Sequence, residues 1–494
     1  MLSRLLATAF VNVLYWFRRI ISFEGTTFQI LLSPRLQPFL EWVGRVRVKR
    51  VFFIAKKRCP AYKQFLEAEG YAHGRKWDFE KVPTMTKENY VKKFSIEDRC
   101  YDGKIPTPGT VIDESSGSSG VPNNWVRNAA ERKDVKRALQ LSYDLTFRNE
   151  DAILLNCFAL GPWATGMNVS MSLVDVGILK SIGPDAKKLE NTLSLFGDKY
   201  RYLIMGYPPF LKMWLDSTEL DLSKFKLDAV VGGEGMSEGL RLYFLKYFGS
   251  VYSSYGASDL EINIGAETEF TVNLRRRCFE DKTLCSRLFG RESPPMIFQF
   301  NPADYLIETN GEGELIITIA RPDGAAPKIK YNLRDSGGMI TYRSLKKACT
   351  EHGIKIEDLS ERQGAFPVVF VFGRNDLSVP FYGAKVFPHD VEEIVTAHPK
   401  LAGRINSFQL QSVEDDQLRK LLRIHLEKSK IQRGSLPTGP ELDDLIFDEL
   451  CRVNQDFREV TRMFARTDVQ VVVHEFETGI FSQRDIRVKN KYVA

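Results

Sequence analysis

Ser115-Ser116-Gly117-Ser118-Ser119-Gly120-Val121-Pro122 sets four serines and two glycines in one short run. Glycine lets the backbone approach an anion closely, and exposed N–H groups with serine hydroxyls then donate several hydrogen bonds to phosphate oxygens. The run lacks the GK[ST] ending of a Walker loop. On its own it also fits a flexible linker, so the rest of the chain has to choose. Ser254-Tyr255-Gly256-Ala257-Ser258-Asp259, with Gly232-Gly233-Glu234 upstream, combines an aromatic face for a purine, a glycine turn, a hydroxyl and a carboxylate able to hold magnesium. A plain strand-end turn is the competing reading. Gly313-Glu314-Leu315 leads to Tyr331-Asn332-Leu333-Arg334-Asp335, where an aspartate at a strand end can accept hydrogen bonds from both hydroxyls of a ribose or cap its own turn. A fourth segment, Gly373-Arg374-Asn375-Asp376, is followed by Gly383, Val386-Phe387-Pro388 and Glu392-Glu393-Ile394.

Positioning four such loops takes alternating strands and helices. β-rich apolar runs at 152–155, 202–205, 227–231 and 315–319 alternate with helical patterns at 132–147 and 238–248. That alternation predicts a large multi-layer α/β domain with its chemistry in loops at strand ends. Beyond Gly373 the pattern changes to short strands, a helix near 390–397, a strand at 421–426 and a helix at about 440–460. This predicts a small α+β domain. The expected division is 1–50 as a basic amphipathic extension, 51–375 as the large domain and 376–494 as the small one.

A chain of 494 residues with 43% hydrophobic residues can bury such cores. Its net charge of +6 is mild and suits acidic ligands without pointing to nucleic acid. Seven scattered cysteines argue against a disulfide framework and for a reducing, cytoplasmic setting. Cys278, Cys285, Cys349 and His352 could form a tetrahedral zinc set, although their irregular spacing suits ordinary thiols better. No Ser/His/Asp nucleophile elbow is visible. At the N-terminus Leu2, Leu6, Phe10, Val13, Phe17 and Ile20 share one helical face, and Arg45, Arg47, Lys49, Arg50, Lys56, Lys57 and Arg58 follow. Packing on the main domain is the first expectation for this helix, with peripheral contact to an anionic membrane or a partner interface such as a homodimer as alternatives.

The order and spacing of the four segments resemble the adenylate-forming superfamily of acyl-CoA synthetases, luciferases and peptide-synthetase adenylation domains. The likeness covers nearly the whole chain and is strongest toward the phenylacetate:CoA ligase branch, with Cys59-Pro60-Ala61-Tyr62, Val82-Pro83-Thr84-Met85-Thr86-Lys87 and Gly206-Tyr207-Pro208-Pro209 similar to that branch's signatures. The resemblance implies a mobile small domain and ATP- and Mg2+-dependent conversion of a carboxylic acid to an acyl-adenylate, followed by transfer to coenzyme A. It places Ser115, Ser116, Gly117, Ser118, Ser119 and Gly120 over the β- and γ-phosphates, Gly233 and Glu234 beside the nucleotide, and Tyr255 and Gly256 against adenine. Ser258 falls at the α-phosphate, Asp259 or Glu261 at magnesium, Asp335 at ribose, Arg374 at ribose or phosphate, and Gly383 near the thiol channel. Lys489, chosen over Arg484, Arg487 and Lys491, is the implied catalytic lysine.

The chain departs from the pattern at Asp259, where glutamate is usual, at Asn123, where lysine is common, and at the residues before Asp335. These departures leave an inactive nucleotide- or acyl-binding paralogue as one alternative, and an amine, hydroxyl or carrier-protein thiol acceptor is a separate one. Phe158, Gly161, Pro162, Trp163 and Gly166 suggest a flat apolar pocket for an aromatic or compact hydrophobic acid. If the serine loop holds phosphates, the Ser118→Ala/Ser119→Ala double variant loses charge-assisted hydrogen bonds of about 1.5 to 3 kcal/mol each. Acid-dependent pyrophosphate exchange then falls steeply, whereas a linker would tolerate both changes.

Overall fold

The computed structural model describes residues 33–71, 78–115, 123–147, 152–233, 235–360, 364–374, 379–381, 384–414, 420–431, 434–454, 457–458, 461 and 464–482. The helix expected over Leu2 to Ile20 lies outside them. So do Ser116 to Gly120, Glu234, Asp376, Gly383 and the basic tail that includes Lys489.

Helix α1 (Gln37–Arg58) runs straight through residue 50, so the boundary expected there falls inside an element of the large domain. The reason is its buried face, where Leu40, Val43, Val48, Val51, Phe52 and Ala55 pack inward. Arg47, one of the basic stretch noted in the sequence, is an internal anchor: its guanidinium donates to Asp304 at 3.0 Å and to the Ala303 carbonyl at 2.7 Å. A Cβ at Gly44 would lie 2.1 Å from the Pro302 carbonyl oxygen, so the helix can seat there only with glycine. Helix α2 (Pro60–Ala68) follows at once.

Strands β1 (Val111–Ser115) and β2 (Asn123–Arg127) form an antiparallel hairpin whose last pair is Ser115 with Asn123. Helix α3 (Ala129–Phe147) starts behind it. Its first turn is closed reciprocally by the Glu131 N–H on the Asn128 side chain at 3.0 Å and the Asn128 N–H on the Glu131 carboxylate at 3.2 Å. Next comes β3 (Ala152–Asn156), buried throughout as befits a strand covered on both faces. Crossover helices α4 (Ala164–Leu173), α5 (Ala186–Phe196), α6 (Pro208–Ser217) and α7 (Glu238–Phe244) lead to β4 (Ile178–Ser181), β5 (Arg201–Gly206), β6 (Lys226–Gly232) and β7 (Val251–Ala257). These strands pair in parallel in the order β4-β3-β5-β6-β7.

From β7 onward the sheet is antiparallel. Strand β8 (Glu261–Ala266), helices α8 (Glu269–Glu280) and α9 (Lys282–Phe289), strands β9 (Met296–Gln299), β10 (Tyr305–Thr309), β11 (Glu314–Ile319) and β12 (Tyr331–Ile340), helix α10 (Tyr342–Glu351) and strand β13 (Val368–Arg374) complete it. The whole sheet runs β10-β11-β12-β13-β9-β8-β7-β6-β5-β3-β4. Cys278, Cys285 and Cys349 are buried under its helices among Phe270, Leu274 and Leu345. Among the described residues no group of three or more His, Cys, Asp or Glu side chains is arranged to hold a metal ion, so the zinc set considered above does not assemble there.

A second core lies in β14 (Val379–Phe381), β15 (Ala384–Val386), α11 (Pro388–Ala397), β16 (Ile405–Glu414), β17 (Lys420–Lys428), α12 (Pro440–Val453) and β18 (Val469–His474). Helix α12 stops short of the expected 460 because Asn454 turns extended, and its side chain donates to Asp390 at 2.6 Å while accepting from the Phe457 N–H at 2.8 Å. The two units touch where the Glu392 carboxylate accepts from the Ser237 N–H at the start of α7 (3.1 Å) and Lys212 donates to the Ile405 carbonyl (2.6 Å). Among the described residues no helix is long and apolar enough to cross a membrane.

Glu131 ties α3 to the loop before β12, accepting from the Ala325 N–H at 2.9 Å and from Lys328 at 2.8 Å. Burial opposes its ionisation, but Lys328 and Arg127 outweigh burial and bring its pKa down to about 2 from 4.5. Its contribution to stability is therefore complete above the unfolded value and fades as pH falls from 4.5 toward about 2. Lys328→Met removes this carboxylate's nearest cation, leaving Arg127 at 4.0 Å, and costs about 3 kcal/mol, much of it recovered in Lys328→Met/Glu131→Gln. Denaturant midpoints at pH 7 read both effects.

Candidate active site

Pairing between β7 and β8 shifts register between Tyr255 and Ala257. A Cβ on Gly256 would stand 2.3 Å from the Ile262 carbonyl carbon, so the bulge demands glycine there. The turn that follows is held by Arg127, whose guanidinium donates to the carbonyls of Ser258 and, at 2.5 Å, of Leu260. Two expected site residues, Tyr255 and Asp259, thus project from a backbone with little freedom.

Both reach β12. The Tyr255 hydroxyl donates to the Asp335 carboxylate at 2.6 Å, and its ring stacks on Phe298 with centroids 5.5 Å apart. In the reverse sense the Tyr331 hydroxyl donates to Asp259 Oδ2 at 2.9 Å. Lys87 lies 3.2 Å from the same oxygen with its side chain 23% exposed. Thr86 and Asn89 cap each other's backbone and so fix the turn that aims Lys87. Arg334, just before Asp335, and Lys330, just before Tyr331, both take positive φ (61° and 46°), a strained geometry for side-chain-bearing residues that is typical of functional sites.

Structure thus brings Tyr255, Gly256, Ser258, Asp259 and Asp335 together, with Gly233 at the end of β6 on a positive φ of 80°. Arg374 stands opposite Asp335 in the β12–β13 register. Glu261 is committed elsewhere: buried, it pairs with Arg321 and accepts from the Tyr305 hydroxyl. Tyr331 and Arg127 carry no role in the sequence expectations, and Lys87 appears there only within a motif. A signal for Tyr331 existed, since i and i+4 on a strand share a face and Asp335 is its i+4 neighbour.

Behind the bulge lies a cavity between β5–β8 and helices α3 and α4. Gly232, Gly233 and Ser258 line it near the site, and Phe147, Leu173, Leu203 and Tyr252 line it farther in. Of the stretch expected to form a flat pocket, Phe158 lines the cavity. Gly166 instead serves close packing, since a Cβ there would lie 2.1 Å from the Ala159 carbonyl oxygen, and Trp163 bridges to Glu114 of β1.

No protein-family model and no curated protein matches this sequence. Solved structures do. 2-Hydroxyisobutyryl-CoA ligase in the postadenylation state, in complex with R3-HIB-AMP, superposes with a TM-score of 0.65 over 91% of this chain and 88% of that chain at 12% identity. The same ligase in complex with 2-HIB-AMP and CoA in the thioesterification state gives 0.51 over 96% and 91% at 13% identity. The chain has the adenylate-forming enzyme fold.

The two carboxylates of the turn differ in what they hold. Glu261→Gln removes the nearer of the two carboxylates that hold the buried Arg321, leaving Asp134 at 3.5 Å, and costs about 3 kcal/mol. Asp259→Asn faces a half-open lysine and costs about 1 kcal/mol or less. Chemical denaturation of the two variants separates the structural carboxylate from the site carboxylate.

Proposed function

We propose that the protein is an AMP-forming acid:thiol ligase. A carboxylate oxygen attacks the α-phosphorus of ATP and the bond to pyrophosphate breaks; the coenzyme A sulfur then attacks the acyl carbon, AMP leaves with the former carboxylate oxygen, and the thiol proton is released. The observation that carries this reading is the crossed pair of Tyr255 with Asp335 and Asp259 with Tyr331, with Tyr255 and Asp259 next in sequence to Ser254, Gly256 and Ser258, which line a largely apolar cavity. It joins the residues that the motifs assign to adenine, ribose and metal at the carboxyl ends of β6 and β7, where ligands of open α/β sheets bind. Support also comes from 2-hydroxyisobutyryl-CoA ligase, whose crystals of the same fold hold 2-HIB-AMP and CoA. The motif likeness assigns the chain to the phenylacetate:CoA ligase branch.

Magnesium fits the donor set. Lys87 and Tyr331 both engage Asp259 Oδ2, so Oδ1 remains for a hard cation that takes its other ligands from phosphate and water. When bound, the ion neutralises charge on the departing phosphates. Lys87 stands close enough to share that task and offsets the lysine absent at Asn123. Ser115 to Gly120 close over the phosphates, Ser258 borders the α-phosphate, Tyr255 flanks adenine, and Asp335 with Arg374 orients the ribose. Lys489 approaches the α-phosphate from the small domain, which turns about Asp376 to bring Gly383 to the thiol channel in the second half-reaction.

The test separates the half-reactions. Lys489→Ala slows acid-dependent pyrophosphate exchange by roughly 10² to 10³, the usual loss for one electrostatic donor. Thioester formation from supplied acyl-adenylate survives. Loss of neither step in Lys489→Ala and Lys491→Ala alike would count against the two-step reading.

A further inference from the structure

We infer that the acid is an extended, unbranched aliphatic monocarboxylate of medium to long chain, an inference that rests on the proposed acid activation and names its substrate class. Depth is the first argument. Helix α3 lines the cavity from Leu139 to Phe147 and α4 from Thr165 to Leu173, each a path of about 12 Å along its axis. On the sheet side β7 and its turn line it from Tyr252 to Ser258, about 20 Å of strand. Phe147 closes the far end edge-on against Tyr252, their centroids 6.2 Å apart. An acid the size of phenylacetate with its carboxylate beside Ser258 would leave the lower part of this path empty, and unfilled apolar space forfeits contacts.

Charge is the second argument. Glu267 is the one carboxylate in the described lining, and both its oxygens are engaged, by Arg241 at 2.5 Å and by the Ser253 N–H at 2.7 Å. The described lining holds no lysine or arginine. It therefore offers no cationic partner to a second carboxylate on the ligand, only hydroxyl and amide groups such as those of Ser142, Thr146, Thr165 and Asn263. Val169, Leu173, Leu203 and Met205 offer contact to methylene groups along the way.

Acid-dependent ATP–pyrophosphate exchange over acetate, hexanoate, octanoate, dodecanoate, hexadecanoate, benzoate and phenylacetate tests the inference. Within the straight-chain series kcat/KM rises about fourfold per added methylene until the cavity is full, and dodecanoate exceeds phenylacetate by a hundredfold or more. Val169→Phe narrows the cavity and moves the optimum to a shorter chain, and Leu173→Ala enlarges it and moves the optimum to a longer one. Calorimetric titration of the full-length protein with dodecanoate gives saturable binding that Val169→Phe weakens. Exchange confined to benzoate and phenylacetate, or an optimum that neither variant moves, overturns the inference and leaves acid activation standing. Saturable dodecanoate binding with no exchange on any acid overturns acid activation instead and keeps the cavity's ligand class.

Discussion

Two hydrogen bonds hold the site in shape, each a tyrosine hydroxyl donating to an aspartate and each running in the opposite sense between the same two strand segments. Tyr255 reaches Asp335, and Tyr331 reaches Asp259. In the sheet order β12 stands four places from β7, which in a flat sheet would separate them by roughly 19 Å, beyond any side chain. The antiparallel half must therefore curl back on itself. Its means are visible in the register shifts at Tyr255/Ala257, Glu314/Ile316 and Ser336/Gly337. Gly337 is needed there too, because a Cβ on it would lie 2.1 Å from the Phe370 carbonyl oxygen.

Around this curl the buried charges position more than they stabilise. Arg241 and Arg275 share Glu238, and Arg241 also takes Glu267, all of them buried. Arg321 lies between Glu261 and Asp134, linking β8 to α3, and the surrounding acids hold its pKa above the ordinary range despite burial. Replacing such pairs by apolar residues of equal volume would cost little, whereas removing one member costs much. They act as locks on register: a slip of β8 by one residue would turn Glu261 away from Arg321 and toward the opposite face.

Strands were the most legible part of the sequence. The runs at 152–155, 202–205, 227–231 and 315–319 fall within β3, β5, β6 and β11, because fully buried strands announce themselves as continuous apolar segments. Partnership was much less legible. Arg47 reads as one of a cluster of surface cations until Asp304, far along the chain, is placed against it. Asp259 and Glu261 look interchangeable in sequence, and only Arg321, equally remote, separates them. Lys87 sat in a recognised motif without a role because its partner lies on another strand's turn. Periodicity reports local burial, while ion pairs between distant segments leave no local trace.

The Lys87–Asp259 pair bears directly on the proposed site. The carboxylate lies 3.2 Å from the ammonium, and the lysine's partial exposure keeps that contact cheap to break. Under the proposed function, a divalent cation held by Asp259 would supply charge to neutralise phosphate oxygens, and Lys87 would then be free to pair with them. Tyr331, donating to Oδ2 at 2.9 Å from a rigid strand, holds that oxygen in place. The same strand carries Asp335 to Tyr255, so the orientation of the proposed metal ligand and that of the proposed ribose ligand are set by a single element.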